Sequence, residues 1–513
     1  MYPIPLVQQF RRDAVSLSGL LSEKPESYWI KRGEAEELRL FHAMVRRVPA
    51  YKAFLKEQGI RNPDFIRSTD DMKELPITSK DNYLLRYPLE QLCWDGVFNK
   101  KQFVISSTSG STGQPFYFPR SSMQDEQFGL TAELCLRTYF GIDAKSTLFI
   151  NCFALGVWVG GMFVYQATKH IAERGQYGFS IITPGADRAE AIKAVKNLAS
   201  KFDQVIIGGY GPLVKDLIDE GIAQGINWGD YDVKYLFAAE GFTEKFRDYM
   251  RTHGGASDIY GGTLNIYGTA DLGAMAHETP LSIFIRRQAT QDPGLYKKLF
   301  THQRLPTFAQ YIPELYFFEE VDGRLVCSAP GGLPLVRYDL KDVGQIHGYA
   351  EMLATLQAHG IDVEKEMGKE NIKHRGWNLP FVSVFERNDF TVSIYSVNIY
   401  PESIHKALEE AKLQPSITGK FTMVVDFDSH NNQFLEIHIE MRPDIAESKS
   451  LREAISASII ESLSRENSEW RDFYAKEDIR HKVTPRITFW PYQDSLYFKS
   501  GGKQKWVKKQ KTS

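Results

Sequence analysis

What most constrains this chain is an alternation that runs from about residue 125 to 340. Short apolar runs, among them Ser180-Ile-Ile-Thr183, Gln204-Val-Ile-Ile-Gly208 and Tyr235-Leu-Phe-Ala-Ala239, are separated by helical stretches at Arg188–Phe202 and Gly211–Gln224. Apolar strands spaced by helices predict an α/β fold of mostly parallel sheets flanked by helices. One part of this region also fits a different solution. Leu148 to Ala167 is twenty residues without a charge and contains Gly156-xxx-Gly160, the pattern of a membrane-spanning helix. Asn151, Gln166 and three glycines in the same stretch favour a buried strand at Thr147–Phe153, a glycine turn and a helix over Met162–Arg174 instead.

At 513 residues the chain is too long for one core. Residues 1–90 read as mainly helical, with Thr78 or Ser79 placed to cap a helix beginning near Lys80. Beyond Gly323 the signal becomes hairpin-like, as in a small β-rich subdomain. A break near 345–386 separates this region from Phe390–Val397 (strand), Pro401–Leu413 (helix), Phe421–Asp426 and Phe434–Glu440 (strands) and Lys449–Ser464 (helix). The organisation expected is a large N-terminal domain, 1–386, and a small, mobile α+β C-terminal domain, 387–513, ending in a basic tail. The net charge of −2 gives no support for nucleic-acid or membrane partners. Four cysteines without a CxxC pair, and a start lacking a signal-peptide pattern, lead us to expect a cytoplasmic protein.

The stretch Thr108-Ser109-Gly110-Ser111-Thr112-Gly113 lies between a Val-Ile strand signal and Phe116-Tyr117-Phe118. Glycines let its backbone turn tightly, so hydroxyls and bare N–H groups can converge on a phosphate. A surface linker of the same composition is the alternative. Gly209-Tyr-Gly211 lacks the third glycine of a dinucleotide loop and reads as a strand-to-helix turn.

Thr108–Gly113 followed by Gln114-Pro115 resembles the phosphate loop of the adenylate-forming superfamily, and more closely its phenylacetate–CoA ligase-like branch. Six further segments follow that branch in order. Tyr51 with Leu75-Pro-Ile-Thr-Ser-Lys-Asp81 resembles its "LPxTxK(D)" segment, and Ala238-Ala-Glu-Gly241 its adenine wall. Tyr267-Gly-Thr-Ala-Asp271 is similar to "YGxTE", and Leu335-Val-Arg-Tyr-Asp-Leu-Lys-Asp342 to "VIRYRTRD". Arg387-Asn-Asp389, running to Val397-Asn-Ile-Tyr-Pro401, resembles the hinge and "VNVFP", and Gly502-Lys503 the C-terminal "GK".

The resemblance implies a two-step reaction. A carboxylic acid attacks Mg·ATP to give acyl-AMP and pyrophosphate, and CoA then takes the acyl group. An amine, a hydroxyl or a carrier-protein thiol is the alternative acceptor, and a non-catalytic nucleotide-binding descendant the alternative class. In this scheme residues 108–113 hold phosphates, Glu240 and Gly241 line the adenine, Tyr267 and Gly268 form the adenine motif, and Asp342 takes the ribose hydroxyls. Asp271 ligates Mg²⁺, Lys503 bridges the attacking carboxylate and the α-phosphate, Arg387 touches ribose or phosphate, and Asp389 is the hinge. Phe153 and Trp158 fall where relatives line the acyl pocket, although an aromatic core explains them equally well. Tyr260 competes with Tyr267 for the adenine role, and Lys505 with Lys503. The chain departs from the pattern at Ala270 (usually Thr or Ser), Asp271 (usually Glu), Gln114 (often Lys) and Tyr395-Ser396 (usually Arg-Gly).

Overall fold

The computed structural model describes residues 2–107, 116–157, 159–302, 305–387, 391–494, 496–498 and 507, and the side chains of all of these but 386–387. The chain divides into two compact units. One comprises Met1–Ser106 with Tyr117–Glu386, the other Ser107–Phe116 with Arg387–Ser513.

Eighteen strands are present among the described residues: β1 Val104–Ser107, β2 Tyr117–Arg120, β3 Thr147–Asn151, β4 Phe179–Ile182, β5 Gln204–Tyr210, β6 Val233–Ala238, β7 Thr263–Thr269, β8 Gly273–His277, β9 Thr307–Gln310, β10 Phe317–Val321, β11 Arg324–Ala329, β12 Leu335–His347, β13 Phe381–Arg387, β14 Val392–Ile394, β15 Val397–Ile399, β16 Ile417–Phe427, β17 Gln433–Met441 and β18 Arg486–Trp490. In the larger unit an eleven-stranded sheet runs β10-β11-β12-β13-β9-β8-β7-β6-β5-β3-β4. From β4 to β7 it is parallel, with helices Val159–Glu173, Arg188–Leu198, Gly211–Ala223 and Glu244–His253 as the crossovers. From β7 through β8 to β9 and β13 it continues antiparallel, and the hairpin strands β10–β12 extend it on the far side.

The uncharged stretch is a βα unit: β3 is wholly buried, and helix Val159–Glu173 buries Phe163, Val164, Ala167 and Ile171. Among the described residues no helix is long and apolar enough to cross a membrane. On the same sheet, Ile207, Val214, Leu217, Ile218, Phe237 and Phe246 join one apolar cluster, which is what buries the crossover helices against it.

In the smaller unit β16 and β17 pair antiparallel and β18 adds parallel to β17, with helices Pro401–Leu408 and Lys449–Glu466 packed together. Two expectations need correction here. The strand expected at Phe390–Val397 is, over its described part 391–397, not one strand: β14 and β15 form a hairpin, with Val392 opposite Ile399. Its turn is Tyr395 (φ 51°) and Ser396 (φ 66°), both left-handed. A two-residue turn of this hand matches strand twist, and it went unseen because neither residue is the usual Gly or Asn. The helix from Pro401 ends at Leu408 rather than Leu413, because Leu413 N–H donates to Glu410 O at 2.9 Å in a tighter turn.

Candidate active site

The parallel strands stand in the order β4-β3-β5-β6-β7, so the chain reverses direction across the sheet between β3 and β5. Open α/β sheets bind ligands beyond the carboxyl ends of their strands, at such a reversal. Phe153 lies two residues past β3, and its N–H donates to Asn151 Oδ1 at 3.2 Å. Glu240 and Gly241 follow β6, where Ala239 takes a left-handed φ of 79°. The Glu240 carboxylate accepts from the Tyr210 hydroxyl, and its carbonyl accepts from Asn265 Nδ2 at 3.0 Å. A Cβ on Gly241 would stand 2.9 Å from Thr307 Oγ1, so that residue is small because the loop lies close to β9.

At the end of β7 the pairing register with β8 slips between Tyr267 and Gly268. A Cβ at Gly268 would come within 2.5 Å of Gly273 O, so the close approach of the two strands excludes any side chain there. Bulges of this kind re-aim side chains beside functional sites. Here the result is a pair of crossed Tyr–Asp contacts. Tyr267 donates to Asp342 Oδ2 at 2.6 Å, and Tyr338 donates to Asp271 Oδ2 at 2.7 Å. Each strand region thus supplies one tyrosine and one aspartate. In sheet order β8, β9 and β13 lie between β7 and β12, so the pairs reach across the sheet's curvature. Tyr260 precedes β7 and so lies at the opposite end of that strand from Asp271. Of the two tyrosines, Tyr267 is thus the one that reaches Asp342.

The segments at 75–81 and 335–342 turn out to be one feature. Thr78 N–H donates to Arg337 O at 2.9 Å, Asp339 N–H donates to Thr78 O at 2.8 Å, and Thr78 Oγ1 donates to Val336 O at 2.9 Å. Arg337, itself at φ 47°, directs its guanidinium to Glu319 at 3.0 Å, to Lys73 O at 2.7 Å and to Leu75 O. The adjacent Ser79 caps the turn Lys80–Leu84 in a reciprocal capping box with Asn82. The "LPITSKD" stretch is therefore the clamp that holds Tyr338 and Asp342 in place.

Of the residues singled out in the sequence, Glu240, Gly241, Tyr267, Gly268, Asp271 and Asp342 gather at this edge. Thr108–Gly113, Gln114, Trp158, Asp389, Lys503 and Lys505 lie outside the described residues, and of Arg387 only the backbone, at the end of β13, is described. Phe153 is buried and lines neither of two cavities in the larger unit. The bigger, of about 40 Å³, is apolar and lies among Phe128, Cys135, Val164, Ile266, Met275 and His277. Burial pushes His277 down to about 4 and the Cys135 thiol up to about 12, so both stay neutral. Glu278, next to His277, is taken up by Arg247 at 2.9 Å and Arg286 at 2.6 Å.

Sequence reasoning missed Tyr338 and Arg120. Tyr338 sits inside a quoted motif but reads as a core aromatic. Arg120 follows the phosphate-loop candidate in an otherwise apolar run that carries no signal of its own.

A single carboxylate, Asp271, lines the smaller cavity, of about 10 Å³, with Ser106, Arg120 and Ala270. No cluster of three His, Cys, Asp or Glu side chains suited to a metal occurs among the described residues. That donor set fits Mg²⁺, which takes one or two protein carboxylates and fills the rest with water and phosphate oxygens.

No family model matches the chain, and no curated protein matches it in sequence. Solved structures do match it in fold. One protein to which the chain is similar in fold is 2-hydroxyisobutyryl-CoA ligase. Its complex with 2-HIB-AMP and CoA in the thioesterification state gives a TM-score of 0.65 at 14% identity, over 95% of this chain and 91% of that one. An open conformation with the same ligands gives 0.54 at 14% identity, over 96% and 93%. The postadenylation state with R3-HIB-AMP gives 0.53 at 14% identity, over 96% and 91%.

Proposed function

We propose that the protein is an AMP-forming acid ligase: it joins a carboxylic acid to ATP as acyl-AMP, releases pyrophosphate, and transfers the acyl group to CoA. The observation that carries this reading is the crossed pair Tyr267–Asp342 and Tyr338–Asp271 at the carboxyl edge of the parallel strands. The likeness in fold to a ligase crystallised with an acyl-AMP and CoA supports it.

In this reading Tyr267 lies against the adenine while its hydroxyl holds Asp342 in orientation. Asp342, an acceptor-only carboxylate, receives the ribose hydroxyls. Asp271 would hold Mg²⁺, which when bound offsets charge on the phosphates. Residues 108–113 receive the β- and γ-phosphates, with Glu240 and Gly241 beside the base and Phe153 and Trp158 beside the acid. Lys503 places a compact positive charge where the carboxylate meets the α-phosphate, and Arg387 assists at ribose or phosphate. Asp389 is the hinge on which residues 387–513 turn as a domain, against 1–386, between the half-reactions.

Pyrophosphate release with a panel of carboxylic acids tests the reading. Acid-dependent release from the wild type, lost in Lys503→Ala, is the expected result; no acid-dependent release from the wild type overturns it. Acid-dependent release without acyl-CoA when CoA is present would direct the second step to an amine, hydroxyl or carrier-protein thiol.

A further inference from the structure

Arg120 ends β2 and is 5% exposed. Its Nε donates to Asp125 Oδ1 at 2.7 Å and its Nη1 to Ser106 Oγ at 3.0 Å. The guanidinium lies over the Phe163 ring, with Cζ 4.6 Å from the centroid, and Phe163 is stacked on Phe128 at 4.1 Å. Three contacts thus fix its plane. The remaining nitrogen, Nη2, is buried without a hydrogen-bond partner.

A buried guanidinium N–H left unpaired is costly, and this one cannot rotate away to find a partner. Arg120 lines the cavity of about 10 Å³ that Asp271 and Ser106 also line. That is about the space one water oxygen needs. Ser106 lies in β1, two residues before the hydroxyl-rich run that begins at Thr108. The cavity therefore joins a fixed cation, a carboxylate and the root of the phosphate-loop candidate.

We infer that Arg120 is a nucleotide-binding residue whose Nη2 donates to a phosphoryl oxygen of ATP. The inference rests on the proposed function and adds a residue to its site. The carboxylate of the acid is the other source of an anionic oxygen. The geometry favours phosphate, because the single Nε–H is already given to Asp125 and the side-on grip on a carboxylate that uses Nε is closed off. A single charge-assisted bond to a tetrahedral phosphoryl group remains open. The Asp271 carboxylate beside it would repel an anion that brought no cation, which again suits Mg·ATP.

The test uses the full-length chain and measures the Kd for Mg·ATP by calorimetry, alongside the KM for ATP and for the acid. Arg120→Gln is expected to weaken ATP binding by about tenfold or more and to leave the acid KM within about twofold, as loss of one charge-assisted bond predicts. Asp125→Asn, which keeps Nη2 in place, is expected to retain ATP affinity within about twofold. If Arg120→Gln does not fold, the Arg120→Gln/Asp125→Asn double variant removes both charges together and carries the same expectation. A raised acid KM with unchanged ATP affinity would assign the contact to the acid and overturn the inference. Equal losses of thermal stability in both single variants, with ATP affinity unchanged, would make Arg120 purely structural and overturn it too. Wild-type protein that binds no ATP would instead remove the function on which the inference stands, an outcome visible before any variant is made.

Discussion

At the scale of single residues, the site depends on two hydroxyls that each engage a carboxylate. Tyr338→Phe removes the donor to Asp271 while leaving the carboxylate in place. The expected outcome is a several-fold rise in the Mg²⁺ concentration needed for half-maximal pyrophosphate release. Asp271→Ala is expected to abolish Mg²⁺-dependent adenylation altogether. Tyr267→Phe strips the Asp342 carboxylate, only 6% exposed, of a donor. It should destabilise the protein by about 1–3 kcal/mol, readable in a urea titration. Tyr267, Asp271 and Asp342 were legible in the sequence because their spacing matches short motifs. Tyr338 and Arg120 were not, because a tyrosine inside an apolar strand and an arginine beside a proline look alike whether or not they face a site. Only the fold distinguishes them.

At the scale of elements, the sequence displayed strands and crossover helices clearly, since burial on both faces writes itself as unbroken apolar residues. It did not display the turn at Tyr395–Ser396, whose conformation is imposed by the pairing of β14 with β15 against local preference. That conflict makes a prediction: Ser396→Gly, at φ 66°, relieves a left-handed side chain. It should stabilise the smaller unit by up to about 1 kcal/mol, seen as a raised midpoint in denaturant. The long strand β12 offers a contrast. Arg337 also has a left-handed φ, but its side chain ties β12 to Glu319 and to the carbonyls of Lys73 and Leu75. Arg337→Ala therefore leaves Glu319 unpaired and removes the side-chain ties to Lys73 and Leu75, while the backbone bonds of Thr78 to β12 remain. The expected loss is about 3–5 kcal/mol, with ATP-dependent activity falling as Tyr338 and Asp342 lose their support.

At the scale of the whole molecule, helix Glu26–Arg47 contributes a pH dependence to stability. Glu37, 2% exposed, accepts from Ser328 Oγ at 2.6 Å, and burial pushes its carboxyl up to about 8. The folded chain therefore keeps a proton there that the unfolded chain loses near the ordinary glutamate range. This contribution is fully present below about pH 4.5 and is lost as pH rises toward 8, at about 1.4 kcal/mol per pH unit at most. Glu37→Gln should flatten that decline, so that unfolding curves of the two proteins diverge steadily between these pH values. Nothing in the sequence marks Glu37, since a glutamate on a charged helix reads as solvated until its neighbours are known.

The docking of Thr78 on β12 also sets a timetable for synthesis. Its carbonyl partners lie 258 and 259 residues further along the chain. At about 5–20 residues per second, a ribosome leaves the 75–81 segment without those partners for on the order of 10–50 s. A nascent chain arrested before Leu335 should be cut by protease within residues 70–85, and one arrested well beyond β12 should resist there. The N-terminal clamp of the site is thus among the first parts made and among the last that can lock.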